Sequence, residues 1–191
     1  MGLLLGEDFN RLFTSFDHTA RRLETRESYD VAAERPYIAR YLAGMQEDPQ
    51  HLARYRGPWL DTVRANAATG RRYQRVRVVP EPLSDYLRYA LRGTRQTVEA
   101  GEDIRYLPRA RANQLDLPDH DYWLFDDARL ALLHFTAADR PLGALVITEP
   151  EVVEQYRAWL DHAAQHASPY AEFLAQDPSR EHPQRRPTPG D

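Results

Sequence analysis

A cluster of carboxylate and guanidinium side chains is the first feature of this chain that could do chemistry. Glu81, Ser84 and Asp85 follow one strand-like segment, and Arg109 and Arg111 follow the next. In open α/β sheets, ligands sit beyond the carboxyl ends of the parallel strands. These residues are therefore the candidates for holding an anion or a phosphate, through bidentate guanidinium contacts beside a helix N-terminus. The other reading of the same groups is an internal salt-bridge network that fixes the loop bearing Asp119, His120 and Asp121.

What is missing narrows the chemistry further. The chain has no cysteine and no lysine, which removes disulfides, thiolate metal sites, cysteine nucleophiles, Schiff bases and a Walker-type phosphate loop. All 25 basic residues are arginine, as a GC-rich genome would spell positive charge. His162 and His166 share a helix face without the glutamate of an HExxH zinc site. No Gly-x-Ser-x-Gly elbow, dinucleotide fingerprint or paired catalytic carboxylates occur, so no metal or cofactor is expected. The net charge of -4 argues against direct nucleic-acid binding. No apolar run approaches the length of a membrane span, and Leu3-Leu4-Leu5 lacks the basic flank of a signal peptide, so a cytoplasmic location is expected.

These groups need elements to position them. Periodicity predicts a helix over Glu7 to Asp17 with Phe9, Leu12, Phe13 and Phe16 on one stripe, either packed on the domain or offered to a partner. Ala20 to Tyr29 reads as a charged, exposed edge strand. A helix over Glu34 to Leu42 follows, then a polar loop from Met45 to Gly57, then a helix opened by Pro58 and closed near Gly70. Arg71 to Val79 alternates as a strand, with Val76 and Val78 on one face and Arg75 and Arg77 on the other. The arginine face reads as a paired solvent face, a partner contact or a nucleic-acid groove. Ser84 or Asp85 caps the next helix, which ends at Gly101, and Asp103 to Pro108 is a second strand, giving a parallel βαβ crossover.

After a loop, Tyr122 to Asp126 and Arg129 to Phe135 form a hairpin, and Gly143 to Thr148 a further strand. Thr148-Glu149-Pro150-Glu151 reads as a capping box for a helix to about His166, with a short last helix through Phe173. The expected architecture is α/β (α+β): a mixed five-stranded sheet with a βαβ crossover and a hairpin, helices packed on it, and a helical N-terminal extension. Residues 1–70 make the mainly helical part and 71–176 the sheet domain. The apolar-poor, proline-rich residues 177–191 read as a disordered tail.

Several blocks carry a resemblance: LFTSFDHTARRLETRESYDV, RVRVVPEPLSDYLRY, AGEDIRYLPR, LPDHDYWLFDD and PEVVEQYRAWLDHA. Over about residues 3 to 175 the chain resembles an uncharacterised domain-of-unknown-function family of high-GC filamentous bacteria. The resemblance implies genes beside Xre-type helix-turn-helix regulators and small acidic partner proteins, and brings no catalytic residues with it. More distantly, the chain resembles a degenerate half of a phospholipase D-like fold. The spacing His120, Tyr122, Asp127 falls on the His-x-Lys-x4-Asp signature of that group. That chemistry needs histidine as phosphoryl acceptor and lysine on the phosphate oxygens, and Tyr122 carries no charge.

The sequence therefore leads to a non-enzymatic regulatory or adaptor protein that binds a protein partner, such as an Xre-type regulator. An anionic small molecule is expected at Glu81, Ser84, Asp85, Arg109, Arg111 and Asp127, and a partner on Phe9, Phe13, Phe16, Arg75 and Arg77. The competing expectations are a divergent phosphodiesterase or nuclease using His120, and a toxin-like member of a two-gene system.

Overall fold

The computed structural model describes residues 2–46 and 49–182, leaving aside the side chains of His51, Leu52 and Glu181. Its centre is one mixed sheet. The strands are β1 (Thr19–Glu24), β2 (Arg72–Val79), β3 (Glu102–Pro108), β4 (Tyr122–Phe125), β5 (Arg129–Phe135), β6 (Pro141–Ile147) and β7 (Ser168–Pro169). They lie in the order β6-β5-β4-β1-β2-β3-β7. The sheet has seven strands, not five, and this corrects the sequence reading in two places.

The first correction concerns β1. Its charges suggested an exposed edge, yet it lies at the middle of the sheet, parallel to β2 and antiparallel to β4. The polar residues Arg22 and Glu24 find ionic partners inside the protein, so the strand needs no solvent face. The second is β7, two residues at what looked like a helix break, which pair antiparallel with β3 and close that edge.

The helices are α1 (Gly6–Arg11), α2 (Arg35–Leu42), α3 (Pro49–Ala68), α4 (Asp85–Ala100), α5 (Arg109–Gln114), α6 (Pro150–His166) and α7 (Tyr170–Gln176). The crossover β2-α4-β3 is present, with β2 and β3 parallel. Ser84 caps α4, its hydroxyl accepting from the Leu87 amide at 3.3 Å, and Gly101 ends it in the left-handed region at φ 117°. Elsewhere the local signals misled. The stretch read as loop from Met45 to Gly57 includes the first turns of α3, and Pro58 lies inside that helix rather than at its start. The helix read to Asp17 stops at Arg11. Glu149, not Thr148, is the N-cap of α6, and its carboxylate accepts from the Thr148 amide, so the capping box is not made.

Strand alternation sorts the core into two layers. One face of the sheet, with Leu23, Val76, Val78, Leu107, Leu124 and Leu130, packs on Val153, Leu160 and Ala163 of α6. The opposite face, with Ala20, Tyr73, Trp123 and Phe125, packs on Leu12 and Phe16 and on Leu60 and Val63 of α3. Beside it, Ile104 and Tyr106 meet Leu87 and Leu91 of α4 and Phe173 of α7. Two further contacts seat the N-terminal region. The Asp126 carboxylate, in the β4-β5 turn, accepts the amides of Asp17, His18 and Thr19 at 2.7–2.9 Å, and Leu4 pairs with Ala144 of β6 through two backbone bonds. Gly143 makes this last approach possible. It sits at φ 140°, and a Cβ there would lie 2.6 Å from the Leu4 carbonyl oxygen.

Of the tail predicted from Asp177, residues Pro178–Glu181 form a 3-10 turn against α4, where Arg88 donates to the Ser179 and His182 carbonyls at 3.3 Å. Residues 183–191 lie outside the described residues.

Candidate functional site

The charged residues of β1 and β2 meet on the face beneath α3 and α4. Register places Arg22 beside Arg75 and Glu24 beside Arg77, with Trp123 next to Arg22 on the other side and Tyr106 next to Arg77. Three guanidiniums therefore stand in one group on the sheet. Glu24, only 1% exposed, binds all of them: Arg22 at 2.9 Å, Arg75 at 3.2 Å, and Arg77 through its Nε. Glu102 takes the Nε of Arg75 at 2.8 Å from β3. Asp121, likewise buried, accepts the Thr25 amide at 2.7 Å and the Tyr29 hydroxyl, and pairs with Arg22 at 3.4 Å.

Such a network holds its cations rigidly. The Arg22 guanidinium lies between the rings of Tyr29 and Trp123, 5.7 Å and 5.3 Å from their centroids, in the geometry of cation–π attraction. Breaking a buried ion group by removing one partner costs far more than losing a surface pair, because the remaining charge is stranded.

Above the guanidiniums the packing opens into two adjoining chambers. The first, about 350 Å³, is lined by Arg56, Trp59, Tyr86, Thr94 and Thr97 among others. The second, about 550 Å³, is lined mainly by apolar groups including Leu4, Phe9, Leu133 and Phe135. Arg22, Arg75, Arg77, Glu34, Tyr86 and Trp123 border both. Volumes of this size, with a few fixed polar groups among apolar ones, are those of small-molecule sites. Neither Glu102 nor Asp121 is among the lining residues, so these two carboxylates stand behind the arginines rather than in front of them. Glu34, the carboxylate common to both chambers, already accepts the hydroxyls of Tyr55 at 2.9 Å and Tyr86 at 3.0 Å.

Electrostatics makes the site sensitive to both acid and base. Burial alone would push the Glu24 carboxyl up, but Arg22, Arg77 and Arg75 hold it well below its ordinary 4.5. A depressed folded-state pKa contributes stability that is complete above the unfolded value and is lost as pH falls toward the folded one. Unfolding midpoints in urea should thus hold steady down to pH 4.5 and fall below it. At the other end, burial raises Tyr106 to about 12 from 10.0. Neutral tyrosine is favoured by folding, so that contribution is present below pH 10.0 and disappears as pH rises toward 12. Difference absorbance in alkali should show tyrosine ionisation arriving together with unfolding.

The residues selected from the sequence scatter around this site. Arg75 and Arg77 border the chambers, and so does Phe9. Phe13 contacts Trp59 and Trp123 edge-on, and Phe16 is fully buried against Tyr73. The anion candidates are engaged separately. Glu81 pairs with Arg180 at 3.1 Å, Ser84 caps α4, Arg109 donates to the Thr25 carbonyl, and Arg111 reaches Gln114 at 2.9 Å. Asp85 lies in the first turn of α4, and Asp127 pairs with Arg21 at 3.3 Å beyond the far end of β4. None of these six borders either chamber.

The phosphoryl-transfer pattern is likewise divided. His120 precedes β4 and bonds the Tyr156 hydroxyl at 2.8 Å, whereas Asp127 follows the strand. Tyr122 is fully buried and donates to the Tyr156 carbonyl at 3.0 Å, so it faces no substrate. Sequence reading missed Arg22, Glu24, Trp59, Trp123, Glu34 and Arg56. The available signal was the recurrence of charge at alternate positions in both Arg22-Leu23-Glu24 and Arg75-Val76-Arg77, which places the charges of each strand on one face.

The geometry defines an α/β domain with an arginine-floored, aromatic-walled cavity on one face of its sheet. No helix among the described residues is long and apolar enough to cross a membrane, and no three histidine, aspartate or glutamate side chains among them converge as a metal site would require. Over residues 7–175 the chain matches the family described as a domain of unknown function, DUF6879, and it belongs to that family. No curated protein matches it.

Proposed function

We propose that this protein is a non-enzymatic regulatory or adaptor module that binds an anionic small molecule in the sheet-face cavity and a protein partner on its surface. The observation that carries the ligand half is the group formed by Arg22, Arg75 and Arg77, which borders both chambers and is held by Glu24 at the edge of the larger one and by Glu102 and Asp121 from behind. Preorganised guanidiniums in a partly closed, low-dielectric site bind carboxylate and phosphate oxygens strongly and directionally. For the partner half, Leu3, Leu5 and Leu142 are 39%, 58% and 46% exposed and are brought together where Leu4 pairs with β6. Exposed apolar patches of this kind mark interaction surfaces, and a helix-turn-helix regulator is the partner we propose.

Thermal melting with pyrophosphate, citrate and benzoate at matched ionic strength tests the ligand half. A ligand at 100 times its dissociation constant adds about 2.7 kcal/mol, so at least one anion should raise the melting temperature. The double variant Asp85→Ala, Arg109→Ala should keep that rise, because neither residue borders the cavity. If the rise is absent for all three anions, or vanishes in this variant, the site is not the cavity. Native mass spectrometry of the protein co-expressed with the proposed regulator checks the partner half: a heteromeric complex is expected, and two separate species would refute it.

A further inference from the structure

The two chambers differ in character, and the difference specifies a ligand class. The smaller chamber offers hydrogen-bonding groups: the Arg56 guanidinium, Thr94, Thr97 and the tyrosines 55, 86 and 89. The larger is walled mainly by Leu4, Leu5, Phe9, Leu133, Phe135 and Leu142, with Glu24, Tyr29 and His134 as the polar groups it does not share. Only at their shared border do they present Arg22, Arg75 and Arg77. A small hydrophilic anion would satisfy the border and leave the larger chamber's apolar walls unused. Apolar surface of that extent is stabilised by an apolar occupant.

Resting on the anion reading above, we propose that the ligand is an amphipathic acid. Its carboxylate, sulfonate or phosphate group lies against Arg22, Arg75 and Arg77, and its aromatic or acyl body fills the chamber between Phe9, Leu133 and Phe135. Polar substituents on the acid end reach Arg56 in the smaller chamber. Trp123 and Tyr86, present at the border of both, flank the junction of head and body. The arm Leu4 to Gly6 forms one wall of the apolar chamber and is held to β6 at Leu4 by the two backbone bonds to Ala144.

Gly93 supplies a variant that leaves the fold alone. A Cβ at this position in α4 would lie 2.6 Å from the Arg56 guanidinium carbon, so Gly93→Ala moves the flexible end of Arg56 while favouring the helix.

The test uses a matched pair of fluorescent probes with the full chain: anilinonaphthalene sulfonate, which is aromatic and anionic, and phenylnaphthylamine, which has the same body without the acid. The sulfonate should bind saturably and about tenfold or more tighter than the amine, as expected for one charge-assisted contact. Leu142→Glu, at the exposed margin of the apolar chamber, should weaken both probes through lost apolar contact and the sulfonate more than the amine through charge repulsion. Gly93→Ala should weaken polar-headed anions while preserving the melting temperature.

Equal binding of both probes would leave an apolar chamber and overturn the anionic head, and with it the anion reading. Binding of pyrophosphate or citrate with neither probe would keep the anion reading and overturn the amphipathic ligand. If no probe and no anion binds a protein that melts cooperatively, both fail.

Discussion

Replacing Glu24 by alanine should cost about 3–5 kcal/mol of folding stability, the range for removing one partner from a buried ion group. The carboxylate is 1% exposed and faces Arg22, Arg75 and Arg77. Its loss leaves these cations under α3 and α4 with Glu102 and Asp121 as the remaining buried anions. Surface pairs give at most about 1 kcal/mol, so the size of the effect separates the two situations. Urea unfolding at neutral pH measures it. A change below about 1 kcal/mol would show that water reaches the group freely, and the rigid guanidinium floor would have to be abandoned.

The second large effect is expected at Phe16. Alanine there should destabilise by about 3–5 kcal/mol, as for other buried phenylalanines. The ring is fully buried and packs edge-on against Tyr73 at 5.3 Å and tilted against Phe125 at 6.2 Å. Phe9, half-buried at the chamber wall, should cost less when truncated and act mainly on ligand binding. Equal and small losses at both positions would return the phenylalanine stripe to the role of a free partner surface. Chemical denaturation of the two variants side by side decides this.

How much of this could be read in the sequence depended on how local the causes are. The crossover from β2 through α4 to β3 is written in neighbouring residues: alternation in Arg72–Val79, the Ser84 cap, the apolar stripe and the Gly101 terminator. The Asp126 and Asp127 turn was legible for the same reason, and both residues adopt positive φ, at 54° and 50°. The place of β1 was not legible, because what allows Arg22 and Glu24 to be buried lies across strands, at Arg75, Arg77, Glu102 and Asp121. Alternation tells which side chains share a face, but not whether that face is covered. The early turns of α3 escaped for a related reason, since Pro58 reads as a start and only packing on β2 and α4 shows the helix continuing through it. Glu81, Ser84, Asp85, Arg109 and Arg111 were chosen from a rule about strand ends. The structure uses them as a helix cap, a first-turn acid, an ion pair, a tie to the Thr25 carbonyl and a contact within α5, while the cavity opens on the sheet's face.

Tryptophan emission gives the most direct test of whether anions bind above Arg22, Arg75 and Arg77. Trp59 and Trp123 border the cavity and Trp159 does not, so a Trp159→Phe protein reports from the site itself. Titration with benzoate at constant ionic strength should change that emission saturably. In Gly93→Ala, which displaces Arg56, the curve for an anion with a polar substituent, such as hydroxybenzoate, should move to about tenfold higher concentration, the equivalent of one charge-assisted contact. Emission that responds only to ionic strength, identically in both proteins, would contradict an anion site in this cavity.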